Sequence, residues 1–232
     1  MLPKDRLIVA LDVPSVDEAK ALIERLGDSA GVYKIGLELL FSGGFELARQ
    51  LARGRRVFVD AKLLDIEATV ERATASIARM GVEFLTVHAL DCKTLAAAVK
   101  GRGDSALKLL GVTVLTNLSS SDLIEQCIDH PLGELVLHRA KLAKEAGLDG
   151  VVASGHEAAK IRKVAGPDFL IVTPGIRPGG AETQDQTRAM TPKAAIGAGA
   201  DYLVVGRPIT RAPDPRAAAE AIAGEIAAAL AR

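Results

Sequence analysis

One pattern repeats along the whole chain of 232 residues. A short run rich in aliphatic and β-branched residues is followed by an Ala-rich amphipathic segment and then by glycine or a polar turn. Alternation of this kind is typical of parallel strands joined by helices. Eight strands are predicted, at residues 6–13, 32–39, 56–63, 82–89, 107–116, 149–154, 169–175 and 202–208. The predicted helices are residues 15–26, 44–53, 66–80, 92–100, 134–146, 157–165, 192–198 and 214–230.

Eight such units in a chain of this length predict an α/β fold of the (β/α)8 class, the TIM barrel, formed as a single domain over residues 1–232. An open, doubly wound sheet is the alternative. The GxGxxG sequence that marks a dinucleotide-binding sheet does not follow the first strand, which disfavours that alternative.

Composition narrows the possible partners. With 49% hydrophobic residues the chain is not a disordered protein, and 29 basic residues against 29 acidic ones predict no nucleic-acid partner. No apolar run reaches the length of a membrane span, and Asp12 interrupts the apolar run near the N-terminus, so a first strand is predicted there rather than a signal peptide. We therefore expect a cytoplasmic protein with no membrane association.

Cys92 and Cys127 form no CxxC pair, and no disulfide framework is predicted.

Two connections are long, at residues 117–133 and 176–191. Both follow predicted strands, on the face where barrel enzymes carry their active sites. Long loops in compact domains are usually functional or disordered, so these two are candidate binding loops.

Unusual polar residues gather near the C-terminal ends of the strands, where the strands of a barrel converge on one mouth. Taken singly, each of them would more often be a solvated turn residue, and a lone His88 more often a core histidine than a catalyst. Convergence from several strands favours a site for the set. Its members are Asp12, Lys34, Asp60, Lys62, His88, Thr116, Ser154, the stretch 174–177, Gly206 and Arg207.

Asp60 and Lys62 are two residues apart on a strand, so their side chains share one face. If that face is the barrel interior, the two form a buried or half-buried pair that Lys34 could join. Such a group keeps its charges only where the signs alternate. A lysine between carboxylates stays protonated, and is then a fixed cation and a candidate general acid.

The sequence VVGRPIT at residues 204–210 suggests a phosphate site, because a strand there ends at glycine beside Arg207. The loops after strands seven and eight are the usual phosphate locus of this fold. A lone GR pair is also an ordinary turn, so this signal is weak by itself. The histidines and cysteines lack zinc-ligand spacing, and neither a P-loop nor a nucleophile elbow is present in the sequence.

These residues together carry a resemblance. The stretch DAKLLDI at residues 60–66 resembles the D-x-K-x-x-D-I signature of the orotidine 5′-phosphate decarboxylase family. The same family is matched, in order along nearly the whole chain, by ALDVP, YKIGLEL, VHA, VLTNLS, VTPGIRP followed by QDQTR, and VVGRPIT. The D-x-K-x-x-D spacing alone is shared with sugar-phosphate relatives, whereas its combination with TPGIR and DQ is highly specific. One departure is Glu67, where many members have proline, and no loss of activity is expected from it because Glu also suits a helix N-terminus.

The resemblance implies decarboxylation of orotidine 5′-phosphate to UMP without a metal or other cofactor, in a homodimer. It implies a charged network of Asp60, Lys62 and Asp65, in which Lys62 is the proton donor and Asp65 comes from the other subunit. Further roles are implied for residues around that network. Asp12 and Lys34 would contact the ribose, Thr69 of the partner chain would assist them, the segment of Thr116, with or without Ser119, would face the pyrimidine, and Arg177, Gln186, Gly206 and Arg207 would hold the phosphate.

Two alternatives remain at the level of the sequence. A sugar-phosphate decarboxylase or aldolase of the same suprafamily would use Mg²⁺ and an enediolate. A non-catalytic protein that binds a phosphorylated ligand on the same barrel would show binding without turnover.

Overall fold

Eight parallel strands close into a barrel in the computed structural model, which describes residues 1–179 and 188–231. Each strand pairs with the next along the chain, and β8 pairs with β1. The (β/α)8 prediction is therefore confirmed, and the open sheet is excluded. The strands are β1 Leu7–Ala10, β2 Val32–Ile35, β3 Arg56–Leu63, β4 Phe84–His88, β5 Lys108–Val112, β6 Gly150–Val152, β7 Leu170–Thr173 and β8 Tyr202–Val205.

Helices surround the barrel, and several begin at a side chain that accepts a hydrogen bond from the first turn. Ser15 caps the first helix by accepting from the Glu18 backbone N–H at 3.2 Å, as the sequence predicts. Asp91 and Asp214 cap later helices in the same way. The helices are α1 Val16–Leu26, α2 Leu37–Leu39, α3 Phe45–Leu51, α4 Glu67–Ala78, α5 Cys92–Arg102, α6 Ser120–Glu125, α7 Leu132–Glu145, α8 Gly155–Ala165, α9 Pro192–Gly197, α10 Arg207–Thr210 and α11 Pro215–Leu230.

The protein has two hydrophobic cores because each strand presents one face inward and the other to the helices. The larger core lies between barrel and helices. The smaller one fills the barrel, where the rings of Phe58, Phe84 and Tyr202 meet edge to face with centroids 5.9 and 5.3 Å apart. Below these rings Glu83 binds Arg56 and Lys108, with the Lys108 Nζ to Glu83 Oε1 distance 3.0 Å. The filled interior leaves the C-terminal mouth as the place for a ligand.

Four predicted strands run three or four residues too far at their C-terminal ends. The first strand ends at Ala10 rather than residue 13, and residues 37–39 form α2 instead of extending the second strand. The fifth strand ends at Val112 rather than residue 116, and residues 207 and 208 begin α10 instead of extending the eighth. Apolar residues there continue the strand pattern in the sequence, but the chain leaves the sheet at the barrel rim. Helix α6 was also missed, although Ser119 and Asp122 form a capping box that marks its start.

Among residues 1–179 and 188–231, no helix combines the length and the apolar character needed to cross a membrane.

Candidate active site

A cavity of about 460 Å³ opens at the C-terminal mouth of the barrel. Its walls are partly apolar, with Phe58, Val112, Val152 and Val204 among the lining residues. Within the described part of the chain, basic side chains in the lining outnumber acidic ones. The basic ones are Lys34, Lys62, Arg177, Arg207 and Arg211, and the acidic ones are Asp12, Glu38 and Asp60. A cavity with this balance suits a ligand that carries several negative charges.

Four charged residues form a chain of alternating sign along one side of the cavity. Lys34 Nζ lies 3.1 Å from Asp12 Oδ1 and 3.3 Å from Asp60 Oδ2. Lys62 Nζ lies 2.9 Å from the same Asp60 oxygen. Gly36 leaves room for this chain, because a Cβ at that position would lie 2.9 Å from Asp12 Oδ1. Each buried charge therefore has a partner of opposite sign, as the sequence argument required.

The environment keeps the inner members of this chain ionised. Burial by itself would lower the pKa of the Lys34 ammonium, but the carboxylates of Asp60 and Asp12 outweigh it and hold that pKa above its ordinary value. Burial would likewise raise the pKa of Asp60, but the ammonium groups of Lys34 and Lys62 outweigh it and lower that pKa. Asp60 is thus a carboxylate and Lys34 an ammonium ion throughout the neutral pH range.

The backbone of β3 is irregular where it presents these charges. The register with β4 shifts between Val59, which pairs with Leu85, and Leu63, which pairs with Val87. Lys62 has a φ of 48°, in the left-handed region that a lysine seldom occupies. Its backbone N–H donates to Thr86 Oγ1 at 2.9 Å, and the Thr86 hydroxyl donates to Asp60 Oδ1 at 2.9 Å. The bulge and this hydroxyl set the direction in which the Lys62 side chain leaves the strand.

His88 ends β4 on the same face as Thr86 and is half-buried. Burial lowers its pKa, and the positive charges of Lys62 and Arg139 lower it further, while Asp60 opposes them. His88 is therefore neutral at pH 7 in the folded protein.

Two arginines line the mouth after β7 and β8. Arg177 follows β7, is 8% exposed, and donates from its backbone N–H to the Met190 carbonyl at 2.9 Å. Arg207 begins α10 directly after Gly206 at the end of β8. Strands β3 and β7 are diametrically opposite in a closed ring of eight. Arg177 and the Asp60–Lys62 pair therefore follow strands on opposite sides of the barrel, and one elongated ligand could contact both.

Comparison with known proteins adds to this geometry. Residues 5–222 match the family described as orotidine 5′-phosphate decarboxylase / HUMPS. The chain belongs to this family. An orotidine 5′-phosphate decarboxylase of Rhodopseudomonas palustris (strain BisB5) is 56% identical over 97% of this chain and 95% of its own length. One of Methylobacterium nodulans is 55% identical over 98% of both chains. The crystal structure of the Lactobacillus acidophilus orotidine 5′-phosphate decarboxylase superposes with a TM-score of 0.83 at 40% identity, covering 95% of this chain and 98% of that one.

Most residues to which the resemblance to the decarboxylase family assigned a role lie together at the mouth. Eight of them line the cavity, namely Asp12, Lys34, Asp60, Lys62, Thr116, Arg177, Gly206 and Arg207. Glu67, the departure from the family pattern, begins α4 as its acidic first-turn residue. Gln186 lies outside the described residues.

Three predicted residues do not line the cavity of their own chain. Asp65 is exposed, and its Oδ1 accepts from the Ile66 backbone N–H. Thr69 is half-buried in α4. Ser119 caps α6, with its hydroxyl 2.6 Å from Asp122 Oδ2.

Sequence reasoning assigned no role to several polar residues at or beside this decarboxylase-type site, namely Glu38, Thr86, Asn117, Thr210 and Arg211. Glu38 and Arg211 line the cavity from α2 and from the end of α10, the two elements whose residues were assigned wholly or partly to strands. Thr86 lies behind the Asp60–Lys62 pair and is fully buried. The sequence shows only that Thr86 lies two residues before His88, on the same strand face, and this spacing does not reveal its contacts with Asp60 and Lys62.

Proposed function

We propose that this protein decarboxylates orotidine 5′-phosphate to UMP, the last step of de novo pyrimidine biosynthesis, in the cytoplasm. The observation that carries the proposal is the charge chain Asp12–Lys34–Asp60–Lys62 in a cavity that Arg177 and Arg207 also line. Orotidine 5′-phosphate has a carboxylate at one end and a phosphate at the other, so its two anionic groups suit a cavity that has both Lys62 and the arginines in its lining. The names of the relatives support the same activity.

Binding follows from this match. Arg207 and Arg177 supply the donors that grip phosphate oxygens, with Gln186 and the backbone at Gly206 assigned to the same end. Asp12 and Lys34 bind the ribose hydroxyls, and the β5 end near Thr116 faces the pyrimidine. Binding energy from the distant phosphate then orients the reacting ring against Lys62.

The chemical step uses Lys62 as a proton donor. The bond between C6 of the pyrimidine and its carboxylate breaks, carbon dioxide leaves, and the electron pair stays on C6. The Lys62 ammonium stabilises this developing negative charge and gives C6 its proton, after which the amine regains a proton from water. Because the fixed Lys62 cation stabilises the negative charge at C6, no electron-accepting group is needed, and the proposal includes no metal or other cofactor.

A homodimer completes the proposed site by contributing Asp65 and Thr69 from the partner chain. Asp65 lies two residues after the end of β3, and its Oδ1 accepts from the Ile66 backbone N–H of its own chain; the proposal assigns its carboxylate to the site of the partner chain. The segments that follow the neighbouring strands β2, β3 and β4 expose large apolar side chains of the kind found at interfaces. These side chains are Leu37, Phe41, Phe45, Leu64, Ile66 and Leu90.

Loss of orotidine 5′-phosphate absorbance in the presence of EDTA tests the activity. The purified protein should form UMP and carbon dioxide in equal amounts, at a rate that EDTA does not change. Dependence on Mg²⁺ together with turnover of a sugar phosphate would favour the suprafamily alternative. Tight UMP binding with no turnover would favour a non-catalytic binder. Fractionation of cells that produce a tagged chain tests the cytoplasmic location.

A further inference from the structure

We infer that Thr86 is a positioning residue for the decarboxylation, acting through Asp60 and Lys62 without touching the substrate. The inference rests on the proposed function, since it assigns a role within the same site. Thr86 is not among the residues that line the cavity, and its side chain is fully buried.

A single hydroxyl joins the backbone of one charged residue to the side chain of the other. Thr86 Oγ1 accepts from the Lys62 backbone N–H and donates its one hydrogen to Asp60 Oδ1, both at 2.9 Å. A hydroxyl has one hydrogen and two lone pairs, so this arrangement fixes the direction of both bonds. Neither valine nor alanine could supply either bond.

The Thr86 hydroxyl also takes the place of a backbone hydrogen bond that β3 has lost at its bulge. Between the pairs Val59–Leu85 and Val87–Leu63, three residues of β3 stand opposite Thr86 alone. The N–H of Lys62 would then be left without a ladder partner in a half-buried place, at a residue with positive φ. Thr86 satisfies that N–H and holds the conformation that directs the Lys62 side chain into the cavity.

The Thr86 hydroxyl also determines which partner each carboxylate oxygen of Asp60 faces. Oδ1 accepts from Thr86, which leaves Oδ2 to face Lys62 at 2.9 Å and Lys34 at 3.3 Å. Without the hydroxyl the carboxylate can rotate about its terminal bond, which has a broad torsional preference. The distance between the two ammonium groups and Asp60 would then no longer be fixed, and proton delivery to C6 would slow.

The test compares Thr86→Val, Thr86→Ser and a matched control, Thr113→Val. Thr113 is a buried threonine just past the end of the neighbouring strand β5, and its hydroxyl donates to the Val152 carbonyl at 2.9 Å, an atom that is not part of the charge chain. Thr86→Val should lower kcat by about 10- to 100-fold, the loss expected for hydrogen bonds to a charged group. The KM and the Kd for UMP should change less than about threefold, because Thr86 does not contact the ligand. Thr86→Ser restores the hydroxyl and should recover kcat to within about threefold of wild type.

Each outcome decides the inference. It stands if kcat falls in Thr86→Val, returns in Thr86→Ser and is kept in Thr113→Val, with all three variants folded by thermal melting. Equal kcat in Thr86→Val and wild type overturns it, as does a serine variant that is no better than valine. An equal loss in Thr113→Val would show a general effect of losing a buried hydroxyl, and the inference would fail. If Lys62→Ala kept wild-type kcat, the proposed function itself would be at fault rather than this role of Thr86.

Discussion

At the scale of single residues, the site depends on the order of its charges. Asp12, Lys34, Asp60 and Lys62 alternate in sign, so no two like charges are neighbours in contact. Removing charges from water is unfavourable unless opposite charges and hydrogen bonds compensate. The ordering therefore lets the barrel hold a cation next to where the reacting carbon would lie.

Lys62→Ala should abolish most of the activity without unfolding the protein. Loss of the general acid and of its electrostatic stabilisation should lower kcat by at least about 10⁴-fold. Asp60 keeps Lys34 and Thr86 as partners, so the unfolding free energy should fall by less than the roughly 3–5 kcal/mol typical of a broken buried pair. Kinetics and urea denaturation measure the two effects. Lys100→Ala is the control, because that exposed lysine pairs with Glu71 outside the barrel. Activity within tenfold of wild type would exclude the proton-donor role.

His88 should make stability depend on pH below neutrality. Its pKa in the folded protein is below the unfolded value of about 6.5, so as pH falls through that value the unfolded chain takes up a proton first. The unfolding free energy should therefore fall on acidification. Lys62 and Arg139 disfavour the protonated ring, and Asp60 opposes them only in part.

Urea denaturation of wild type and His88→Gln at pH 8 and pH 5 measures this dependence. The variant should lose less stability between the two pH values than wild type does. The other histidines are present in both proteins, so the difference isolates His88. An equal loss in both proteins would contradict the lowered pKa.

At the scale of elements, the sequence predicts the barrel because each βα unit carries its own hydrophobic period. All eight predicted strands exist, and Gly27, Gly103 and Gly166 follow the ends of α1, α5 and α8. The family resemblance read from DAKLLDI is confirmed by the match over residues 5–222. The strand ends that were predicted wrongly lie at the barrel rim. Short helices there, such as α10, are fixed by closure of the barrel rather than by local sequence preference.

The charged residues of the site were predictable from the sequence, whereas the bulge and the hydroxyl that hold them in place were not. Asp60 and Lys62 could be placed on one face because strand parity depends only on spacing. The bulge in β3 follows from pairing with β4, which no local pattern in DAKLLDI specifies. Thr86 therefore had no assigned role until the register between the two strands was known.

Substitution of Arg207 tests whether α10 forms the phosphate-binding end of the site. Arg207→Ala should lower kcat/KM for orotidine 5′-phosphate by about 100-fold, because it removes charge-assisted hydrogen bonds. For orotidine without phosphate, wild type and variant should have nearly equal kcat/KM, since the lost partner is absent from the substrate. Steady-state kinetics with both substrates measures this. Arg216→Ala is the control, because Arg216 pairs with Glu220 on α11 and does not line the cavity. An equal loss with both substrates would place Arg207 elsewhere in the mechanism.

At the scale of the whole molecule, barrel closure decides what one chain brings to the site, and the proposed dimer would supply the rest. Closure sets β3 opposite β7, so one ligand can reach both the charge chain and the arginines. A dimer would have to supply Asp65, which in its own chain accepts a hydrogen bond from the Ile66 backbone N–H and is absent from the cavity lining. Phe41 and Ile66, which are 87% and 73% exposed, lie in the segments after β2 and β3, where a second copy could cover them.

Mixing two inactive variants tests whether each site draws on both chains. Lys62→Ala and Asp65→Ala homodimers should each be nearly inactive. When they are dissociated, mixed in equal amounts and reassociated, about half of the dimers should be heterodimers by random pairing. In each heterodimer one site carries both substitutions and the other carries neither. The mixture should therefore recover about a quarter of the wild-type activity.

The opposite result is equally well defined. If Asp65 serves the site of its own chain, every site in the mixture keeps one substitution, and the mixture stays inactive. A tag on one variant shows by co-purification that chains have exchanged, so that inactivity cannot come from failed mixing. A mixture of Lys62→Ala with Asp60→Ala is the matched control, because both residues line the same cavity of one chain and lie 2.9 Å apart. That mixture should stay inactive in either case, since every site in it lacks Lys62 or Asp60.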